Sequence, residues 1–178
     1  MSKILGAVDA EVYQYAGDVY AELQFSEIQA SLFQESQEAV DATFATMAGS
    51  ALTKIESINE RLGNDEAEAI SQAMTTCRRL IDAVADHVFA AREEPYSLNG
   101  QALIVKQPNV LNRINAYLHG VGVTGGRADR LRRNLADTYG RVSKAVHDDI
   151  DGHEARYLFL TTYVTMGEVL TLASGPTS

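Results

Sequence analysis

Apolar residues recur at three- and four-residue steps over most of the chain, the spacing that lines up one face of an α-helix. The clearest run extends from about Glu66 to Glu93, where Ile70, Met74, Cys77, Leu80, Ile81, Val84 and Val88 share a stripe. Asn64 and Asp65 offer a cap before it, and Pro95 marks its end. Upstream, Ala7–Gln24, Ser26–Ala48 and Ala51–Leu62 are patterned in the same way and are rich in alanine and glutamate. Downstream, Asn109–His119 carries Val110, Ile114, Tyr117 and Leu118 on one face, with Pro108 suited to a first helical turn. Arg127–Asp148 sets Leu131, Leu135, Thr138, Val142, Ala145 and Val146 on one stripe and its arginines elsewhere, which predicts an amphipathic helix. Asp151-Gly152-His153-Glu154 resembles a capping box and opens Glu154–Leu172. That last stretch is apolar almost all round, so it is expected to lie centrally.

Two stretches break the helical period. In Tyr96–Val105 the pair Asn99-Gly100 sits between apolar residues and predicts a short β-hairpin, which must pack on helices to be stable. Gly120 to Gly126 reads as a helix–helix turn. The pattern as a whole predicts an all-α fold with an N-terminal helical arm over 1–63, a helical core over 64–174 and one small β-hairpin insertion. There is no internal repeat or low-complexity tract.

Composition narrows the class. The chain has 178 residues, 46% hydrophobic and 22% charged with three prolines, enough for one packed core. A single cysteine, Cys77, excludes a disulfide framework within the chain and any multi-cysteine metal site. The apolar start Met1–Val8 meets Asp9 and Glu11 at once, unlike a signal peptide. Tyr157–Ala173 contains Glu168 and four threonines and falls short of the roughly 20 residues needed to span a bilayer. A cytoplasmic protein with no membrane partner is expected. The net charge of −9 is uneven: residues 1–63 hold three basic and ten acidic residues, so this arm carries −7 and the rest −2. Residues 127–148 hold six basic against three acidic side chains, a local +3. General adhesion to nucleic acid is disfavoured by the total, while one basic helix leaves room for a local anion site.

Several constellations could carry chemistry. Gly120-Val121-Gly122-Val123-Thr124-Gly125 matches GxGxxG, but a helical pattern precedes it where the dinucleotide fingerprint needs a strand. His147, Asp148, Asp149, Asp151 and His153 resemble a metal cluster, to which Asp86, His87 and His119 could add ligands. They span a helix end and a tight turn, where side chains diverge and acids serve as caps, so no metal and no cofactor is assigned. Cys77 lies on an apolar stripe and reads as a small buried thiol, although Arg78 and Arg79 adjoin it. Glu168 on the last helix reads as a buried carboxylate in need of an arginine or hydroxyl partner.

Arg141 and His147 on the basic helix form the remaining pair. On one straight helix six positions separate two side chains by about 120° and about 9 Å, so a two-fold axis that joins the pairs of two chains in one cleft is expected. Guanidinium and imidazole together suit phosphodiester cleavage without metal, since one stabilises charge on a phosphoryl group and the other moves a proton. A solvated arginine and a histidine favourable to the helix dipole are the competing explanation.

Arg141-Val142-Ser143-Lys144-Ala145-Val146-His147 resembles the Arg-x(4–6)-His motif of the HEPN superfamily, and the helices at 66–93, 109–119, 127–148 and 154–172 resemble its four-helix core. The blocks 145–150, 154–158 and 162–170, with Thr76–Leu80 and Asn112-Arg113, resemble recurring segments of uncharacterised prokaryotic abortive-infection, HEPN-like proteins. The resemblance implies a homodimeric helical bundle that acts on RNA in stress or anti-phage defence, in many relatives as a metal-independent endoribonuclease of a toxin–antitoxin pair. It implies that Arg141 contacts the scissile phosphate and that His147 handles the proton, with Arg130, Arg133 and Lys144 as further RNA contacts. An antitoxin or other protein partner also fits. The residue after the arginine is commonly polar in active members and is Val142 here. A noncatalytic helical module that binds a nucleotide, RNA or protein, and a helical metal phosphohydrolase, are the alternatives.

Overall fold

The structure, a computed structural model, describes residues 26–31, 34–35, 37–45, 49–63, 66–148 and 150–172. The chain divides after Ala39 into two compact units. In the first, residues 26–31, 34–35 and 37–39 are helical and exposed. In the second, residues 40–45 are helical and are followed by α1 (Gly49–Leu62), α2 (Ala67–Val88), the strands β1 (Tyr96–Leu98) and β2 (Gln101–Leu103), α3 (Val110–Gly120), α4 (Gly125–Ala145) and α5 (Gly152–Thr171). The fold is all-α with one small hairpin. The stretch Ala7–Gln24 and the cap at Asn64 and Asp65 lie outside the described residues.

α2 is the central element and packs against α1, α3, α4 and α5. Its Leu80 and Val84 share one core with Leu135 and Val142 of α4 and with Leu158 and Val169 of α5. The apolar stripes had no other large face to bury against. Phe44, Ile55, Ile58 and Leu62 join the same core. In composition they belong to the acidic stretch 1–63, but the packing unit begins at Val40. Cys77 is fully buried in this core, and burial pushes its thiol pKa up to about 12.

Two helices, α2 and the basic α4, run shorter than their patterns. α2 stops at Val88 instead of reaching Glu93, because Phe89 turns extended and tertiary partners take the backbone groups that would continue the helix. Arg113 Nε donates to the Phe89 carbonyl at 3.0 Å, and the Arg92 amide donates to the Val105 carbonyl at 3.2 Å. Arg113 itself has no exposed surface; its Nη2 donates to Asp86 Oδ1 at 2.5 Å and its Nη1 to the Gln107 carbonyl at 3.4 Å. α4 stops at Ala145, and the amides of His147 and Asp148 both turn back to the Lys144 carbonyl, at 2.9 and 3.1 Å. Ser71 Oγ donates to the Val146 carbonyl at 3.1 Å, and the Arg78 guanidinium lies 5.8 Å from the Tyr139 ring centre. These two contacts set α4 antiparallel to α2.

Two expectations for α5 are corrected. The helix is covered on one side only: Ala155, Leu158, Thr162, Met166 and Val169 are buried while Tyr157, Leu160 and Val164 are exposed. Glu168 sits at the rim of the core and is 37% exposed, with Arg127 Nη2 at 3.8 Å. The arginine partner is present, but the burial is not.

The hairpin pairs Tyr96 with Leu103 and Leu98 with Gln101. Asn99 and Gly100 take φ of 52° and 80°, the double positive turn that Asn-Gly favours. It is anchored to α3 by Tyr96 Oη, 2.7 Å from His119 Nδ1. Pro108 lies in the turn just before α3 and not in its first helical turn. No helix among the described residues is long and apolar enough to cross a membrane.

Candidate functional site

α4 separates two faces by its own sequence. Ala128, Leu131, Leu135, Thr138, Val142 and Ala145 turn into the core. Arg130, Arg133, Arg141 and Lys144, with Asp137 among them, follow at three- and four-residue steps and are all exposed. Such steps keep side chains on one line, here over about 20 Å of helix. Arg130 and Arg133 make no ion pair with a described residue, whereas Lys144 lies 3.5 Å from Asp148 Oδ2 and Arg132, off this line, 3.6 Å from Asp129.

The stripe ends at the turn between α4 and α5. Val146 and Ile150 pack against the core and the Ser71 hydroxyl holds the Val146 carbonyl, so the turn is tied down on both sides of His147 and Asp148, which are exposed. On the far side, Asp151 caps α5 by accepting from the Glu154 amide at 2.8 Å. The Glu154 side chain is thereby placed across the turn from α4, where Oε1 lies 3.4 Å from Arg141 Nη2. The structure brings Arg141 together with Glu154, and no hydrogen bond joins Arg141 to His147. His147 lies just past the last residue of α4, in a turn where Val146 keeps right-handed helical backbone angles.

This corner is electrostatically mixed. Arg141 lies beside Glu154 and Lys144 beside Asp148, so carboxylates compete with an incoming anion for either cation. At the other end of the stripe Arg130 and Arg133 make no ion pair with a described residue, and Asp137 is the carboxylate that follows them on the same line.

Other candidates resolve into structural roles. The GxGxxG segment follows α3, not a strand, with φ of 78° at Gly122 and 61° at Gly125, and it connects two helices. Among the described residues no group of three or more His, Cys, Asp or Glu side chains could hold a metal ion. His119 is engaged with Tyr96.

Three residues that sequence reasoning did not single out matter here. Glu154 appears in the sequence as a capping residue only, and its ion pair spans 13 positions that no local pattern reports. Arg113 is read from sequence as part of a recurring segment, and only its contacts show that it closes the carboxyl end of α2. Asp82 keeps Oδ1 buried without a hydrogen-bond partner, and that burial raises its pKa, against the nearby Arg78. No protein-family model, curated protein or solved structure matches the chain.

Proposed function

We propose that this is a HEPN-like cytoplasmic protein that acts on RNA in prokaryotic stress or anti-phage defence, with α2 to α5 as the HEPN-like four-helix core. The observation that carries the reading is the exposed line Arg130, Arg133, Arg141 and Lys144, which leads to an exposed His147. A row of cations along one helix suits a phosphodiester backbone, since each contact adds electrostatic affinity without sequence preference. In the catalytic form of the proposal, the Arg141 guanidinium binds the scissile phosphate and stabilises charge on its oxygens. His147 accepts the proton of the ribose 2′-hydroxyl as that oxygen attacks phosphorus, or protonates the departing 5′-oxygen. The P–O5′ bond breaks and a 2′,3′-cyclic phosphate forms, a sequence that needs no metal. The protein is proposed to act as a homodimer. An antitoxin or other protein partner would regulate it by covering the same face.

The second reading is a noncatalytic helical module that binds RNA or a nucleotide. The observation in its favour is the Arg141–Glu154 ion pair at 3.4 Å, beside Asp148 and Asp151, which occupies the arginine that catalysis requires. Incubation of the purified protein with total RNA in EDTA separates the two. Cleavage that disappears in both His147→Ala and Arg141→Ala, with circular dichroism and melting like the parent, supports the nuclease. Retained cleavage in His147→Ala sinks the proposed site. Binding without cleavage by the parent selects the module.

A further inference from the structure

α5 carries an open face that no described residue covers. Tyr157, Leu160 and Val164 are 65%, 45% and 59% exposed and make up half of the large exposed hydrophobics among the described residues. They follow at steps of three and four; His153, Glu168 and Thr171 extend the same line in both directions, and Thr161 lies beside it between Leu160 and Val164. This is the spacing of a coiled-coil seam. The His153 ring stacks on Tyr157 with centroids 6.3 Å apart, and beside Leu160 lies a hollow of about 370 Å³ bordered by Leu62 and Phe159. A contiguous apolar stripe of this kind marks a contact surface, because its hydration is unfavourable until another apolar face meets it.

The order of polar groups along the stripe points to the occupant. Glu168 lies toward one end of the apolar segment and His153 at the other. Parallel pairing of two such helices sets carboxylate beside carboxylate. Antiparallel pairing sets each Glu168 beside the imidazole N–H of the other copy, at both ends at once. Glu168 is held only by a long 3.8 Å contact to Arg127, so a closer donor can join it.

We propose that this face of α5 is a two-fold, antiparallel self-association surface. His153 lies opposite Glu168 of the second copy and Tyr157 opposite its Val164, with Leu160 and Thr161 at the axis. Three apolar side chains with one polar residue at either end make a smaller patch than the roughly 800 Å² per partner of a standard interface, so a weak dimer that dissociates on dilution is expected. This deepens the homodimer proposed above by assigning its surface, and it does not depend on the ribonuclease chemistry.

Sedimentation of the full chain between roughly 1 and 300 µM tests the surface. The expected result is a rise from monomer to dimer mass, with the midpoint moved at least tenfold higher by Leu160→Glu and by Val164→Glu and circular dichroism unchanged. Thr161→Cys, next to the axis, should form a disulfide-linked dimer on mild oxidation, since the native Cys77 is buried and stays out. Tyr157→Cys should link to Val164→Cys in a mixture and not to itself. A parent that stays monomeric, a midpoint unmoved in both glutamate variants, or Tyr157→Cys that links to itself as fast as Thr161→Cys overturns the proposal. RNA cleavage is followed in parallel. A dimer that dissociates in Leu160→Glu supports the surface whether or not the parent cuts RNA, so failure of the nuclease reading and failure of the interface give different results.

Discussion

Arg141 Nη2 lies 3.4 Å from Glu154 Oε1, so the cation of the Arg-x5-His motif already holds a carboxylate across the turn between α4 and α5. RNA that takes Arg141 competes with it. Glu154→Gln should therefore tighten RNA binding about two- to fivefold, within the limit of about 1 kcal/mol that a solvent-exposed ion pair contributes. The melting temperature should change little, since the cap uses the residue 154 amide, which glutamine keeps. Fluorescence anisotropy at fixed low salt checks this, and unchanged affinity would remove Arg141 from the RNA contacts.

Arg113 is the fully buried cation among the described residues, and replacement by methionine should destabilise the protein by about 2–4 kcal/mol in urea unfolding. The loss comes from the Phe89 and Gln107 carbonyls, each left without its guanidinium donor, and from Asp86. Arg113→Lys should recover less than half of this, because one ammonium cannot reach three acceptors arranged around a planar fork. Full recovery by lysine would show that charge alone matters at this position.

Asp82 gives a pH test. Burial raises its pKa above the ordinary carboxylate value, so the folded chain holds this proton more tightly than the unfolded chain. The stability contributed by the group is present below the ordinary carboxylate pKa and is lost as the pH climbs through the raised value. Asp82→Asn should accordingly raise the melting temperature at pH 7 and have little effect in the acid range. A lower melting temperature at pH 7 would mean that the ionised carboxylate, beside Arg78, is stabilising.

Gly167 is needed for close packing. A Cβ there would lie 2.7 and 2.8 Å from the two methyl carbons of Val40. Gly167→Ala should cost about 1–3 kcal/mol, the usual range for an overpacked core, despite the better helix propensity of alanine. Pairing it with Val40→Ala should restore most of the loss. If the single substitution is neutral or stabilising by thermal melting, the segment at 40–45 yields freely against α5.

What the sequence determined by itself was local. The three- and four-residue periods of α2, α4 and α5, the Asn99-Gly100 turn and the Asp151 cap depend on neighbours within one or two turns, so each element and the all-α class could be read from composition and spacing. The basic face of α4 was legible for the same reason, because a helix fixes the relative directions of Arg130, Arg133, Arg141 and Lys144. Only the tertiary structure decided where helices stop and which faces remain open. α2 ends at Val88 because Arg113 and Val105 take the backbone groups that a longer helix would use. Arg141 has Glu154 as its partner because the turn folds α5 back toward α4. α5 is apolar on nearly every side, so the sequence placed Leu158 and Val169 in the core but could not say that Tyr157, Leu160 and Val164 would stay open. That choice belongs to the packing of helices far apart in the chain.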